Sequence, residues 1–343
     1  MKKLFVLLVS VLFITSSCKV SSQNQGQAPF MTRSFPSSSI KGVEATTSGG
    51  SITLTGDADS KAIVEVYVSR HDWSEEKIKK IFEENYTMDI KVESGKLYVM
   101  AKQKKSNFSW DQQGLSISYK ILVPKQINSN LQTSGGSIHI NDLSGSQNIK
   151  TSGGSLSINN VSGNTVGTTS GGSINVTGSR DIIELKTSGG SITAKNCSGK
   201  IDLKTSGGSL HISDLDGIIN ASTSGGSVTA SDLKGTIKTG TSGGSMRLTD
   251  ISGNIEATTS GGSMHVKIAS AGDFVKLSNS GNISLSLPAG KGYNLNVKAN
   301  KIESSGLKDF HGNLENRSIQ GTVGIGGSEI SVKSSQRVNL SFE

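Results

Sequence analysis

Between Thr133 and Ile268 apolar and polar positions alternate in blocks of nine, and the whole pattern recurs every 18 residues. The unit opening at Thr205 shows it: TSGGSLHIS followed by DLDGIINAS. In the first half one apolar column runs Ile138, Leu156, Ile174, Ile192, Leu210, Val228, Met246, Met264, with a second two residues on. In the second half Ile183, Ile201, Ile219, Ile237 and Ile255 head an equivalent pair of columns. Apolar places two apart with polar residues between them predict strands with one buried face. Each half opens on Ser-Gly-Gly or on a Gly among small polar residues, where positive φ would let the chain turn a corner.

TSGGS begins at Thr133, Thr151, Thr169, Thr187, Thr205, Thr223, Thr241 and Thr259 without insertion or deletion. An earlier copy starts at Thr47, and a degenerate one, Ser278 to Ile283, follows one residue late. So strict a period predicts units that stack, because one unit alone cannot bury its apolar face. The expected fold is all-β, a β-solenoid (single-stranded β-helix) wound right-handed, with 18-residue coils and one short capping helix. A left-handed hexapeptide helix fails, since six residues on from Leu210 stands Asp216. A calcium-binding nonapeptide roll fails too, since Gly-Gly-Ser-Leu-His lacks its Gly and Asp ligands.

Outside the array the alternation loses its period. Strands are predicted at Ala62–Val68, Met88–Val92, Lys96–Ala101 and Leu115–Pro124. Between the first two, WSEEKIKKIFEENY predicts a helix over 74–86, with Ser74 as N-cap, acidic residues in the first turn, and Ile78, Ile81 and Phe82 on one face. Its mixed charges favour an end cap over a membrane-surface helix. The chain then divides into a lipoprotein signal peptide (1–17), an acylated Cys and tether (18–39), an N-terminal β segment with the helix (40–132), the regular array (133–268), and irregular last coils with a second cap (269–343).

Composition sharpens this. With 42 Gly, 4 Pro and 5% aromatics in 343 residues, the chain suits a repetitive β protein. The net charge of +8 is dispersed, and residues 133–268 hold 10 basic and 9 acidic groups, which argues against nucleic acid as a partner. At the N-terminus Lys2 and Lys3 precede an apolar run from Leu4 to Ile14 and then Thr15-Ser16-Ser17-Cys18. That order marks an export signal, too short for a membrane span. Cys18 after small residues resembles the lipobox of bacterial lipoproteins, which implies cleavage before it and acylation of its thiol (diacylglycerol, palmitate) as a membrane anchor. Lys19 follows where an Asp would favour inner-membrane retention, so the outer membrane is expected, with the periplasmic or exterior facing left open. Cys197, in one column with Leu215, Leu233 and Ile251, is expected as a buried filler.

Few residues could carry chemistry. His139, His211 and His265 share an outward column but lie three or four coils apart, too far for one metal. Asp214, Asp232 and Asp250 stack on consecutive coils; corner caps explain them, and a weak cation or sugar-contacting row is the sharper alternative. Lys102, Lys104 and Lys105 near Trp110 form a local basic-aromatic cluster, either a solvated loop or a contact for an anionic polymer or glycan. A polysaccharide lyase or hydrolase would need a cleft built from long corner loops, and these corners carry none. An ice-binding face would need outward Thr in paired rows. No catalytic residues and no cofactor are expected.

The Ser-Gly-Gly-Ser-Ile repeat, a leading segment ending Leu122-Val123-Pro124-Lys125, and Gly326-Gly327-Ser328 before a final strand resemble the DUF4097 family, over about residues 40–340. That family is grouped as candidate adhesins with β-strand repeats. The resemblance implies a non-catalytic cell-envelope protein presenting a rigid surface to a glycan or protein. The alternatives are a carbohydrate-active enzyme on the same scaffold, and an envelope-stress or structural component without a ligand.

Overall fold

The computed structural model describes residues 28–57, 59–104 and 114–343. The described residues are all-β with one α-helix, and their 26 strands join one open sheet network. In the array each unit pairs in parallel with the next at an offset of 18, as in Leu210↔Val228 and Ile219↔Ile237. Every unit contributes to two ladders. One contains Ile138–Asn141, Leu156–Asn159 and Ile174–Thr177. The other contains Ser144–Lys150, Ser162–Thr169 and Arg180–Thr187. From Ile192–Thr205 to Met246–Thr259 a single 14-residue strand bends and serves both. Alternate residues of the two ladders meet in one apolar core, where Ile192, Ile201, Leu203, Leu210 and Ile219 have no exposed surface.

The ends depart from sequential order. Gly42–Thr47 and Ile52–Gly56 pair directly with Asn128–Thr133 and Ile138–Asn141. Their other edges pair with Lys96–Gln103 and Ser116–Val123. The chain thus lays down one unit, runs outward to build the N-terminal end, and returns to stack the array on that unit's opposite side. Antiparallel strands Lys61–Ser69, Met31–Pro36 and Tyr86–Glu93 extend that end. The helix Glu75–Asn85 follows Ser74, whose side chain accepts from the Lys77 N–H. Its buried Ile78 and Phe82 belong to the common core, and the Phe82 ring lies 4.8 Å from Phe30 and 5.8 Å from Tyr86.

The C-terminal end repeats the manoeuvre. Strands Tyr293–Lys298 and Lys301–Ser305 form beyond the space that the last two strands later fill. Ser328–Ser334 enters between Met264–Asn279 and Tyr293–Lys298. Arg337–Phe342 enters between Ile283–Leu287 and Lys301–Ser305. Inserted strands have both edges paired, which removes two of the edges a stack would otherwise expose.

The two corners of each unit are built differently, and this corrects the expectation that positive φ explains the glycines at both. The Ser-Gly-Gly glycines do not have left-handed backbones. Instead a Cβ on the second of each pair would overlap the backbone of the unit below: Gly208 lies on Gly190, and Gly226 on Gly208. The threonine at this corner is buried rather than outward, with Thr205 6% exposed, so the premise of an ice-binding row falls. Its hydroxyl donates to the neighbouring unit's second Gly carbonyl (Thr205 Oγ1 to Gly190 O, 2.8 Å) and accepts from its own second Gly N–H (Gly208 N, 3.2 Å). The same pair of bonds recurs at Thr151, Thr169, Thr187, Thr223 and Thr241. Buried backbone groups need partners, and this hydroxyl supplies two per unit.

At the opposite corner Asp142, Asn160, Asn196, Asp214, Asp232 and Asp250 all have φ between 53° and 57°. Gly178 holds the same place with φ 63°. Asn, Asp and Gly are the residues that tolerate this left-handed conformation. Three residues on, Gly199, Gly217, Gly235 and Gly253 combine positive φ with close approach to the unit below. The motif lapses after Asp250, where the pairing of Met246–Thr259 with Met264–Asn279 shifts register.

Candidate functional site

The outward columns are where a ligand could meet this molecule, because the inward ones are core. His139, His211 and His265 are exposed and lie in separate units of one ladder. Among the described residues no three His, Cys, Asp or Glu side chains gather as a metal site would require. Asp214, Asp232 and Asp250 are exposed on consecutive units. Their left-handed backbones give each one a local reason to be Asp. In this column Asn160 Nδ2 donates to Asp142 Oδ1.

Of the basic-aromatic cluster, Lys105 and Trp110 lie outside the described residues, as does Cys18. Lys102 is exposed, with its Nζ 3.4 Å from Asp89 Oδ2 on the antiparallel neighbour strand. Lys104 donates through Nζ to Glu83 O in the last turn of the helix, and through its backbone N–H to Asn85 O at 2.9 Å. A cation there complements the helix C-terminus. Both lysines therefore have local structural partners.

Cys197 is 3% exposed and unpaired, and its Sγ donates to Lys195 O at 3.2 Å. Burial pushes its thiol pKa above the usual value, which opposes thiolate formation. No described helix is long and apolar enough to cross a membrane.

Sequence reasoning missed the shallow troughs on the outer faces. One, of about 370 Å³, runs along the C-terminal part of one ladder, with Ser284, Ser286, Asn339 and Ser341 between His265 and Glu303. Lys301, 2.7 Å away, bonds Glu303 and, with Arg337, holds its carboxyl below the usual range. Another, of about 340 Å³, lies on the other ladder in the middle of the array, around Asn220, Ser222, Lys238 and Gly240. The signal for it in the sequence was slight: the outward column Lys186, Lys204, Ser222, Gly240, Thr258 loses its long side chains after Lys204.

No family model matches the chain, and no curated protein matches it in sequence. Several solved structures resemble it. A "putative adhesin" from Parabacteroides distasonis is 15% identical, with TM-score 0.34, covering 73% of this chain and 96% of its own. A "Putative lipid binding protein" from the same organism is 17% identical, with TM-score 0.33, covering 74% and 96%. A "putative cell adhesion protein" from Clostridium sporogenes is 10% identical, with TM-score 0.20, covering 92% and 100%. Scores of this size carry no structural or functional inference.

Proposed function

We propose that this chain is a non-catalytic, adhesin-like cell-envelope lipoprotein of the DUF4097 type. It is a right-handed β-solenoid of 18-residue coils that presents a rigid outer surface to a glycan or a surface protein. The observation that carries the reading is the contrast between its corners and its faces. The array's corners are short and occupied by packing and hydrogen bonds, so no loop there gathers side chains into a catalytic cleft. The faces hold polar side chains in columns fixed by the ladders, which pre-organises them for binding at little entropic cost.

Anchoring rests on the lipobox-like Thr15-Ser16-Ser17-Cys18. Two or more acyl chains on Cys18 would hold the protein at the outer membrane, and the polar segment after it would serve as a tether. Metabolic labelling with a palmitate analogue tests the anchor: label on the wild type and none on Cys18→Ser is expected, and equal labelling overturns it. Protease shaving of intact cells tests adhesion. Cleavage with an intact outer membrane is expected of an adhesin, whereas protection places the protein in the periplasm and leaves a structural or stress role. Release of products from a polysaccharide panel would replace binding with catalysis.

A further inference from the structure

Gly240 stands one residue before the end of the strand Val228–Thr241, without the left-handed φ or the close backbone approach that fixes the second Ser-Gly-Gly glycines and the Asx-corner glycines. Its φ is not left-handed, and a Cβ there would find its nearest neighbour, Thr258 O, at an ordinary 3.5 Å. Thr239 and Thr241 on either side are buried, so position 240 faces outward and would accept any side chain. A glycine within a strand weakens it, and it commonly marks a place where something approaches the backbone closely. Here it opens the trough of about 340 Å³ described above, at the small end of the range for ligand sites.

The walls are built from two ion pairs on one face. Lys204 Nζ lies 2.8 Å from Asp202 Oδ2, and Lys238 Nζ lies 2.9 Å from Glu256 Oε1. Asn220, Ser222 and Thr258 add an amide and two hydroxyls between them. The parallel register fixes the spacing: Asp202, Asn220, Lys238 and Glu256 occupy one column on successive units, and Lys204, Ser222, Gly240 and Thr258 the adjoining one. Asp202 gives one oxygen to Lys204, while its other oxygen is buried with no hydrogen-bond partner. A buried acceptor without a donor is costly.

We infer that this trough is a saccharide-binding subsite for a neutral sugar unit, an inference that rests on the binding function proposed above. Two cations balanced by two anions leave the trough without net charge, so a sulfated or uronic polymer gains nothing from it. An apolar ligand would have to desolvate both ion pairs. A neutral sugar places hydroxyls that both donate and accept against carboxylates, ammonium groups, an amide and hydroxyls in alternation. With no aromatic platform among the lining residues, affinity for one sugar unit is low.

The test uses the purified full chain in detergent on an array of immobilised neutral, sulfated and uronic oligosaccharides. It compares wild type with Gly240→Gln, which fills the trough without changing charge, and with Thr168→Gln, an outward residue of the same column four units away. Thermal melts of all three are recorded, and both variants should melt as the wild type does. The expected result is wild-type binding to neutral members, at least tenfold weaker binding by Gly240→Gln, and unchanged binding by Thr168→Gln. Equal binding by Gly240→Gln overturns the trough while leaving glycan binding in place. Binding confined to charged members overturns the neutral-sugar assignment. If no arrayed saccharide is bound, the subsite falls, while a surface-protein partner is judged separately by shaving.

Discussion

The two corners of each repeat both contain glycine, and they need it for unlike reasons. At the Ser-Gly-Gly corner the constraint is between units: the second glycine lies so close to the backbone below that no side chain fits, although its own backbone is unstrained. At the Asx corner the constraint is within the residue: the chain turns through a left-handed conformation, and an outward Asp or Asn serves nearly as well as Gly. The second Ser-Gly-Gly glycine is therefore selected for absent volume alone and the Asx residue for tolerated torsion, while the glycine three residues after the Asx residue (Gly199, Gly217, Gly235, Gly253) needs both. Both yield small polar residues in the sequence, but they predict opposite patterns of substitution.

Gly208 gives the sharpest break. Gly208→Ala drives a methyl into the Gly190 carbonyl, so the two units must separate or shift, and a loss of about 3 kcal/mol or more is expected. Gly207→Ala, one residue earlier, meets nothing nearer than 3.5 Å and should cost under about 1 kcal/mol. Urea unfolding of the two variants checks this, and equal midpoints would refute the stacking explanation. The next effect in size belongs to the hydroxyl that closes the same corner. Thr205→Val keeps the shape but removes the partner of Gly190 O and of Gly208 N, for a loss of about 1–3 kcal/mol. Thr205→Ser keeps both bonds and should recover most of it, which separates hydrogen bonding from packing.

At the other corner the order reverses. Asp232→Ala should cost about 1 kcal/mol, because alanine pays the left-handed penalty without compensation. Asp232→Gly and Asp232→Asn should fall within about 0.5 kcal/mol of wild type, as the natural Gly178 and Asn196 at equivalent places suggest. If Asp232→Gly were as damaging as Gly208→Ala, the distinction between the corners would collapse.

The legible part of this fold was the part where sequence order and spatial order coincide. From Ile138 to Met264 every apolar column falls at the core, since a fixed period leaves only one register that buries them all. The strands flagged outside the array are likewise present, Lys61–Ser69 and Tyr86–Glu93 among them. What could not be read was their place. Nothing in the residues of Gly42–Gly56 says that the array begins again on their far side, or that Ser328–Ser334 slides between two earlier strands. Such pairings depend on non-local edges competing for partners, and alternation alone is blind to which edge wins. The troughs were missed for a related reason: they are made by side chains that are short relative to neighbours 18 residues away, a contrast visible only once the columns are set side by side.

The smallest predicted effect concerns the carboxylates at the Asx corner. Asp214, Asp232 and Asp250 stand on successive units, about 4.8 Å apart along the ladder, which invites a cation. Yet each has a backbone reason to be Asp, each is exposed, and no three ligating side chains gather among the described residues. Exposed like charges at that spacing repel by a few tenths of a kcal/mol in salt, too little to demand a counterion. Melting curves in calcium and in EDTA should therefore superimpose, and Asp232→Asn should raise stability marginally in both. A calcium-dependent rise in Tm that Asp232→Asn abolishes would instead make the row a cation site, and the corner would then serve binding as well as turning.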